Sequence, residues 1–390
     1  MEVNLRHLRA FLSVAQTGSI TRAADLCHIS QPAVTQAIAK LETEAGQPLF
    51  TRTPQGLFAT EAGQVLHHRT ARAMTPLDTH LHEIAPRLVL TATRAQLQAL
   101  IAAAEVQNFS LAARRLGIAQ PTVHRAITQL EREAGRALFQ RSPLGIAPTR
   151  AASALARVAR LAFVELDQAR AELGDLLGRE VGQVVLGAMP LSRSYILPQA
   201  LASFRATRPS LTVKVLEGSY DELLAGLRRG EIDILTGALR DPAPIGDVVQ
   251  ERLFDDTLVL LAGKGHPLAG RPLPPLASLL EWPWLVTREG TPTRTLFDRY
   301  FKSSGLTPPQ GVIETGSVIL MREMVQDNRH LACMSYVQAQ SEVATGLVEV
   351  LAHDFGSTRR AIGLTMRADW QPTPAQAKML SCLRSIGGRI

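Results

Sequence analysis

From Leu5 to Ala45 the apolar residues recur at helical spacing three times: Leu8, Phe11, Leu12 and Ala15, then Ala23, Ala24 and Cys27, then Val34, Ile38 and Leu41. Such stripes put one face of each helix on a shared interior, so the pattern predicts three short helices around one small core. The turn before the third helix carries its own signals. Ser30 is placed to cap it, and Pro32 falls in its first turn, where a missing N–H costs nothing. Two short apolar runs follow in "PLFTRTPQGLFAT" around Pro54, Gln55 and Gly56, and predict a hairpin. Sliding the chain by 89 positions sets Leu5 to Leu66 on Arg94 to Leu155 without a gap. About two in five positions are then identical, which is the behaviour of a duplicated unit.

The pattern behind the two copies differs. After the first it meets Pro76 and Pro86, which predicts a short or kinked helix. After the second it runs for about eight turns without a proline, with Leu155, Val158, Ala162, Leu166, Ala169, Leu173 and Leu176 on one stripe. Only this second helix is expected to form a seam between subunits. From Gly182 onward the period alternates: "QVVLGAM", "TVKVLEG" and "IDILTGAL" read as strands, "ILPQALASFRATRP" and "YDELLAGLRRGE" as helices. That alternation predicts an α/β domain with parallel strands.

Composition sharpens the division. Residues 1–150 hold 16 Lys and Arg against 10 Asp and Glu, a net +6 of the chain's +7, so the front is basic and the back close to neutral. A cationic module that meets phosphates, joined to one that does not, fits this split. Cys27, Cys333 and Cys382 lie far apart and form no CxxC or Cys/His cluster, so neither a disulfide framework nor a zinc site is expected, and a reducing compartment fits. The N-terminus lacks a signal-peptide pattern and no apolar run reaches the roughly 20 residues of a membrane span. A soluble, cytoplasmic protein without membrane contact is the expectation.

With Val34, Ile38 and Leu41 turned inward, Gln31, Pro32, Ala33, Thr35, Gln36 and Lys40 lie on or near the outer face of the third helix. This is the geometry in which a recognition helix meets base edges in the major groove of double-stranded DNA. The second copy offers Gln120, Pro121, Thr122, His124 and Arg125 there, and each hairpin carries one arginine, Arg52 or Arg141, towards the phosphate backbone. A compact bundle with merely solvated surface residues is the plainer alternative. Its weight falls because the pattern occurs twice, each time with its own hairpin, in the basic part of the chain. No catalytic set competes: GxSxG, HExxH and a glycine-rich phosphate loop are all missing, and His266, His330 and His353 are scattered. No cofactor or metal is called for.

The stretch "LRHLRAFLSVAQTGSITRAADLCHISQPAVTQAIAKLETEAGQPLFTRTPQGLFATEAG" resembles the N-terminal domain of LysR-type transcriptional regulators, departing at Thr35 and Gln36, where many members show Ser and Arg. The resemblance extends over essentially the whole chain. It implies two tandem winged helix-turn-helix domains, a linker helix that pairs two subunits, and a two-lobed effector domain like that of periplasmic solute-binding proteins. The expected organisation is a first reader at residues 1–66, a short helix and linker at 67–92, a second reader at 93–150, a dimerisation helix at 151–179 and the effector domain at 180–390. Within the last, one lobe is expected at about 180–262 and 341–390 and the other at about 263–340. The resemblance implies a regulator bound to promoter DNA as a homodimer or homotetramer, acting on RNA polymerase. Its small-molecule effector would be an aromatic-pathway carboxylate or a sugar, since "EGSYDELLAGLRRGEIDILTGAL" and "ETGSVILMREMV" are most similar to regulators of sugar-uptake and protocatechuate-pathway genes. A helix-turn-helix copy turned to oligomerisation, or a solute receptor without DNA, are the alternatives.

Ligands of α/β lobes sit at the carboxyl ends of strands, against helix N-termini. That singles out Ser192, Ser194, Ser219 and Thr236 in one lobe and Thr287, Gly290, Thr291, Arg294 and Ser317 in the other. Ser and Thr also cap helices whatever the ligand, and Arg294 suits either a ligand carboxylate or a salt bridge.

Overall fold

Helix α1 (Leu5–Thr17) starts where Asn4 accepts the N–H of Arg6 and stops at Gly18, whose φ of 64° is the left-handed turn that ends a helix. In the computed structural model, which describes residues 4–142, 145–240, 242, 245–352 and 358–389, it begins the first of two units, Met1–Gly182 and Gln183–Ile390. The first unit continues with α2 (Ile20–Cys27), α3 (Gln31–Ala45), the hairpin β1 (Phe50–Thr53) and β2 (Gly56–Ala59), and α4 (Glu61–Ile84). A short turn of helix, α5 (Leu88–Thr91), leads to the second copy: α6 (Arg94–Val106), α7 (Phe109–Leu116), α8 (Gln120–Ala134), β3 (Phe139–Ser142), β4 (Gly145–Pro148) and α9 (Arg150–Leu176).

One expectation fails here. The segment after the first copy is a single 24-residue helix that runs through Pro76. Proline at this point removes the N–H that would bond the carbonyl of Arg72. What carries the helix across is packing: Leu66, Ala73, Met74, Leu77 and Leu81 are fully or almost fully buried. Their partner is α9, and one apolar cluster runs from Leu8 and Leu41 through Leu66 and Leu77 to Leu155, Leu166, Leu130 and Leu100. The two helices run antiparallel. Arg69, earlier in α4, pairs with Glu172 near the end of α9, while Arg72, one turn further along α4, pairs with Glu165, one to two turns earlier in α9. No helix among the described residues is long and apolar enough to cross a membrane.

The second unit holds two five-stranded sheets. It begins with β5 (Gln183–Ala188), α10 (Pro190–Ser194), α11 (Ile196–Thr207), β6 (Thr212–Glu217), α12 (Tyr220–Arg228), β7 (Ile234–Ala238) and β8 (Val248–Asp256). The chain crosses at once into β9 (Leu258–Ala262), followed by β10 (Trp284–Val286), α13 (Pro292–Ser303), β11 (Ile313–Glu314), α14 (Val318–Val325), β12 (Leu331–Ser335), α15 (Tyr336–Ala344) and β13 (Glu349–Ala352). It ends with β14 (Arg360–Arg367) and α16 (Pro374–Gly387). The strand orders are β6-β5-β7-β14-β8 and β11-β10-β12-β9-β13. The sheets are mixed and not all-parallel, because β14 runs antiparallel to both β7 and β8, and β9 to both β12 and β13. The lobe limits move accordingly. The crossing falls at residue 257, ahead of the expected 263, and "GLVEVL" pairs with β9 in the second sheet where a return to the first was expected.

Candidate nucleic-acid interface and effector lobes

The Ser30 hydroxyl accepts the N–H of Ala33 at 3.4 Å and so caps α3. Val34, Ala37, Ile38 and Leu41 then face the core, which leaves Gln31, Pro32, Thr35, Gln36 and Lys40 exposed and Ala33 half-buried. Gln31, Pro32, Thr35 and Gln36 line a concave face with Thr21 from α2 and Arg52 from the hairpin. In the second copy Gln120, Pro121, Thr122, His124 and Arg125 are likewise exposed, but Ala119 gives α8 no side-chain cap. His124 also sets its ring edge-on against Phe109, 5.6 Å between centroids. Arg52 stands opposite Leu57 and Arg141 opposite Ile146, both exposed, and no ion pair among the described residues engages either.

Two features missed in the sequence hold the hairpins. Glu42 accepts the N–H of Leu49 at 2.8 Å, and its repeat Glu131 accepts those of Leu138 and Phe139 at 2.8 and 3.1 Å, so each recognition helix clamps the start of its own hairpin. Each hairpin glycine, Gly56 or Gly145, has a φ near 130° and lies so close to the end of α1 or α6 that a Cβ would meet a carbonyl at 2.8 or 2.9 Å. The signal was present, since both residues recur 89 positions apart.

In the second unit the expected residues are brought together only in part. Thr236 donates to Ser192 at 2.9 Å, and Ser192 donates to the Met189 carbonyl at 2.8 Å. Both are fully buried and serve to pin α10 to the strand ends. Ser194 is half-buried at the end of α10. Ser219 forms a capping box with Glu222, whose carboxyl is held below its usual range by hydrogen bonds from the Ser219 N–H and hydroxyl. Thr291 caps α13 and donates to Thr287 at 3.0 Å, next to exposed Gly290 with φ 75°. Ser317, exposed, caps α14. Arg294 is spoken for: it is buried and bonded to Asp298 and Glu314, which hold the guanidinium charged against its burial.

A cluster not expected from the sequence lies where the chain crosses between the sheets. Arg360 donates to Asp256 at 2.9 and 3.1 Å and to Thr293 at 2.5 Å, and Asp256 also accepts from Ser335 at 2.8 Å. Leu258 donates its N–H to Thr358 beside it. Residues of both sheets thus meet around one buried carboxylate. Of the scattered histidines, His266 is buried against Trp282 and pushed below its usual range by burial, His330 pairs with Asp327, and His353 lies outside the described residues.

Against known proteins, the family model described as "Bacterial regulatory helix-turn-helix protein, lysR family" matches twice, at residues 5–64 and 95–153. The model "LysR substrate binding domain" matches residues 177–387. The HTH-type transcriptional regulator GalR of Pseudomonas putida is 34% identical over 98% of this chain and 97% of its own, an overlap that spans both copies. PcaQ of Agrobacterium fabrum is 27% identical over 75% of this chain and 94% of its own, and GbpR of Azospirillum brasilense 26% over 74% and 85%. Among solved structures, a full-length OxyR variant from Pseudomonas aeruginosa is 23% identical with a TM-score of 0.53, covering 75% of this chain and 97% of that one. For CbnR the values are 22%, 0.50, 75% and 99%. These two share the fold.

Proposed function

The chain belongs to the LysR family of transcriptional regulators, and we propose that it reads promoter DNA with both of its winged helix-turn-helix copies. The observation that carries this reading is the doubled face: in each copy an exposed Gln-Pro opens the recognition helix and an exposed arginine stands on its hairpin. A copy kept only for packing has no use for these groups. Direct base contacts fall to Gln31, Thr35 and Gln36 in the first copy and to Gln120, His124 and Arg125 in the second, with Arg52 and Arg141 on phosphates.

The effector is a small polar or anionic molecule bound in the second unit, an aromatic-pathway carboxylate or a sugar, and its binding sets the promoter response, with RNA polymerase as the downstream contact in an activating role. Because Ser192, Thr236 and Arg294 are buried, Ser194, Ser219, Thr287, Thr291 and Ser317, which are at least partly exposed, are the better-placed ligand groups, with Arg360 close to the junction of the sheets. A footprint of the full-length protein on the region upstream of its own and neighbouring genes, with and without a panel of aromatic acids and sugars, tests the whole reading. Protection whose extent or pattern changes with one of those compounds is expected. No protection of any upstream region would overturn it.

A further inference from the structure

The 89-residue repeat and the antiparallel pairing of α4 with α9 have a joint consequence. Each copy ends in its own long helix, and these two helices cover one another within a single chain. Of the stripe expected to join two subunits, Leu155, Val158, Ala162, Leu166, Ala169 and Leu173 are buried here by residues of the same polypeptide, and Leu176 at its end is 38% exposed. We infer that one chain is by itself a paired reader: the α4–α9 contact is made within the chain, it presents both recognition helices as one body, and α9 does not serve as the seam between subunits. The DNA-facing part of this inference rests on the reading proposed above, whereas the pairing itself does not.

The contact is also written so that unlike helices pair. Arg69 of α4, only 2% exposed, donates to Glu165 at 2.9 Å, to Glu172 at 2.6 Å and to Gln168 at 2.9 Å, and Arg72 joins Glu165 at 2.8 Å. Burial works against the Arg69 charge, but its bonds to Glu172 and Glu165 outweigh it and raise the guanidinium above its ordinary value. The repeat shows how one-sided this is. Shifted by 89, Arg69 becomes Val158, while Glu165 and Glu172 correspond to Pro76 and Glu83. Two copies of α9 paired in this register would set Val158 against Glu165 and Glu172, enclosing carboxylates with no cation. Two copies of α4 would set Arg69 against Pro76 and Glu83. Removing one partner of a buried ion pair is heavily penalised, so the cluster disfavours the α9–α9 pair, whereas an α4–α4 pair would keep one of the two carboxylates around Arg69, Glu83, and lose the other to Pro76.

Carbodiimide coupling in the full chain tests this without DNA. Arg72→Lys keeps the charge and places an amine beside Glu165, so activation of the carboxylate forms an amide with loss of water. The expected result is a 72–165 cross-linked peptide recovered from the single-chain band. In a second arm, Arg72→Lys with Glu165→Gln in one tagged chain is co-expressed with the unsubstituted chain, so that coupling can occur only between chains. No double-mass product containing the 72–165 peptide is expected. Its appearance there, or recovery of that peptide from the first arm only in the double-mass band, would overturn the inference even if the footprint above succeeds. An absent footprint with intrachain coupling would leave the pairing standing and remove its DNA role.

Discussion

Asp233 sits between β5 and α16, 6% exposed, where it accepts the N–H of Val185 at 2.8 Å. Burial pushes its carboxyl from 3.8 up to about 6 against the pull of that N–H, Arg367 and Gln376. The folded chain therefore binds this proton more tightly than the unfolded one. The contribution to stability is fully present below pH 3.8 and is lost as pH rises through 6, by up to about 3 kcal/mol. Asp233→Asn removes the dependence, so its midpoint of unfolding should gain on the parent's as pH is raised from 4 to 7; parallel pH profiles for the two proteins would refute the assignment. A second single-residue expectation follows from the uncapped helix. Ala119→Ser should supply α8 with the bond that Ser30 gives α3 and raise stability by about 1 kcal/mol, while Ser30→Ala should cost a similar amount, both read by chemical denaturation.

At the scale of elements, the three-helix copies were legible because local signals agreed: caps, apolar stripes and turn residues all pointed the same way. The helix through Pro76 was not, because proline speaks only for the local backbone, and what outweighs it is burial against residues 93 positions away in sequence, such as Glu165 from Arg72. One clue was available, since Arg69 lies within the apolar stripe of Leu66, Ala73 and Leu77, where a lone charge demands a partner. Likewise the effector residues were found as caps, which the sequence pattern reports well, while the Asp256–Arg360 pair joins positions 104 apart and leaves no periodic trace. The helix pair makes a quantitative contrast testable. Arg69→Ala leaves Glu165 and Glu172 largely enclosed and should cost about 3 kcal/mol, whereas Arg72→Ala, at a site 24% exposed, should cost under about 1 kcal/mol. Helical circular dichroism melts decide it, with fluorescence as the reference because all three Trp and all four Tyr lie beyond residue 182. Equal losses for the two variants would sink the distinction.

For the whole molecule, two unlike readers on one chain imply an operator with unlike halves. The first copy offers Thr35 and Gln36 where the second offers His124 and Arg125, and glutamine pairs with adenine edges whereas arginine prefers guanine. Selection from random duplexes with the full chain should return a motif that is not palindromic, and the Thr35→His, Gln36→Arg variant should move one half of it towards the other. Each hairpin arginine that touches a phosphate contributes about 0.9 to the slope of log affinity against log salt. Arg52→Ala and Arg141→Ala should therefore each flatten that slope by about one unit, and the double variant by about two, because the two hairpins belong to separate copies and share no partner. Were one of these variants to retain the parent's slope, and the selected motif to shrink to a single half-site, the copy bearing that arginine would be a packing module. The α4–α9 pair would then serve to brace one reader where two were expected.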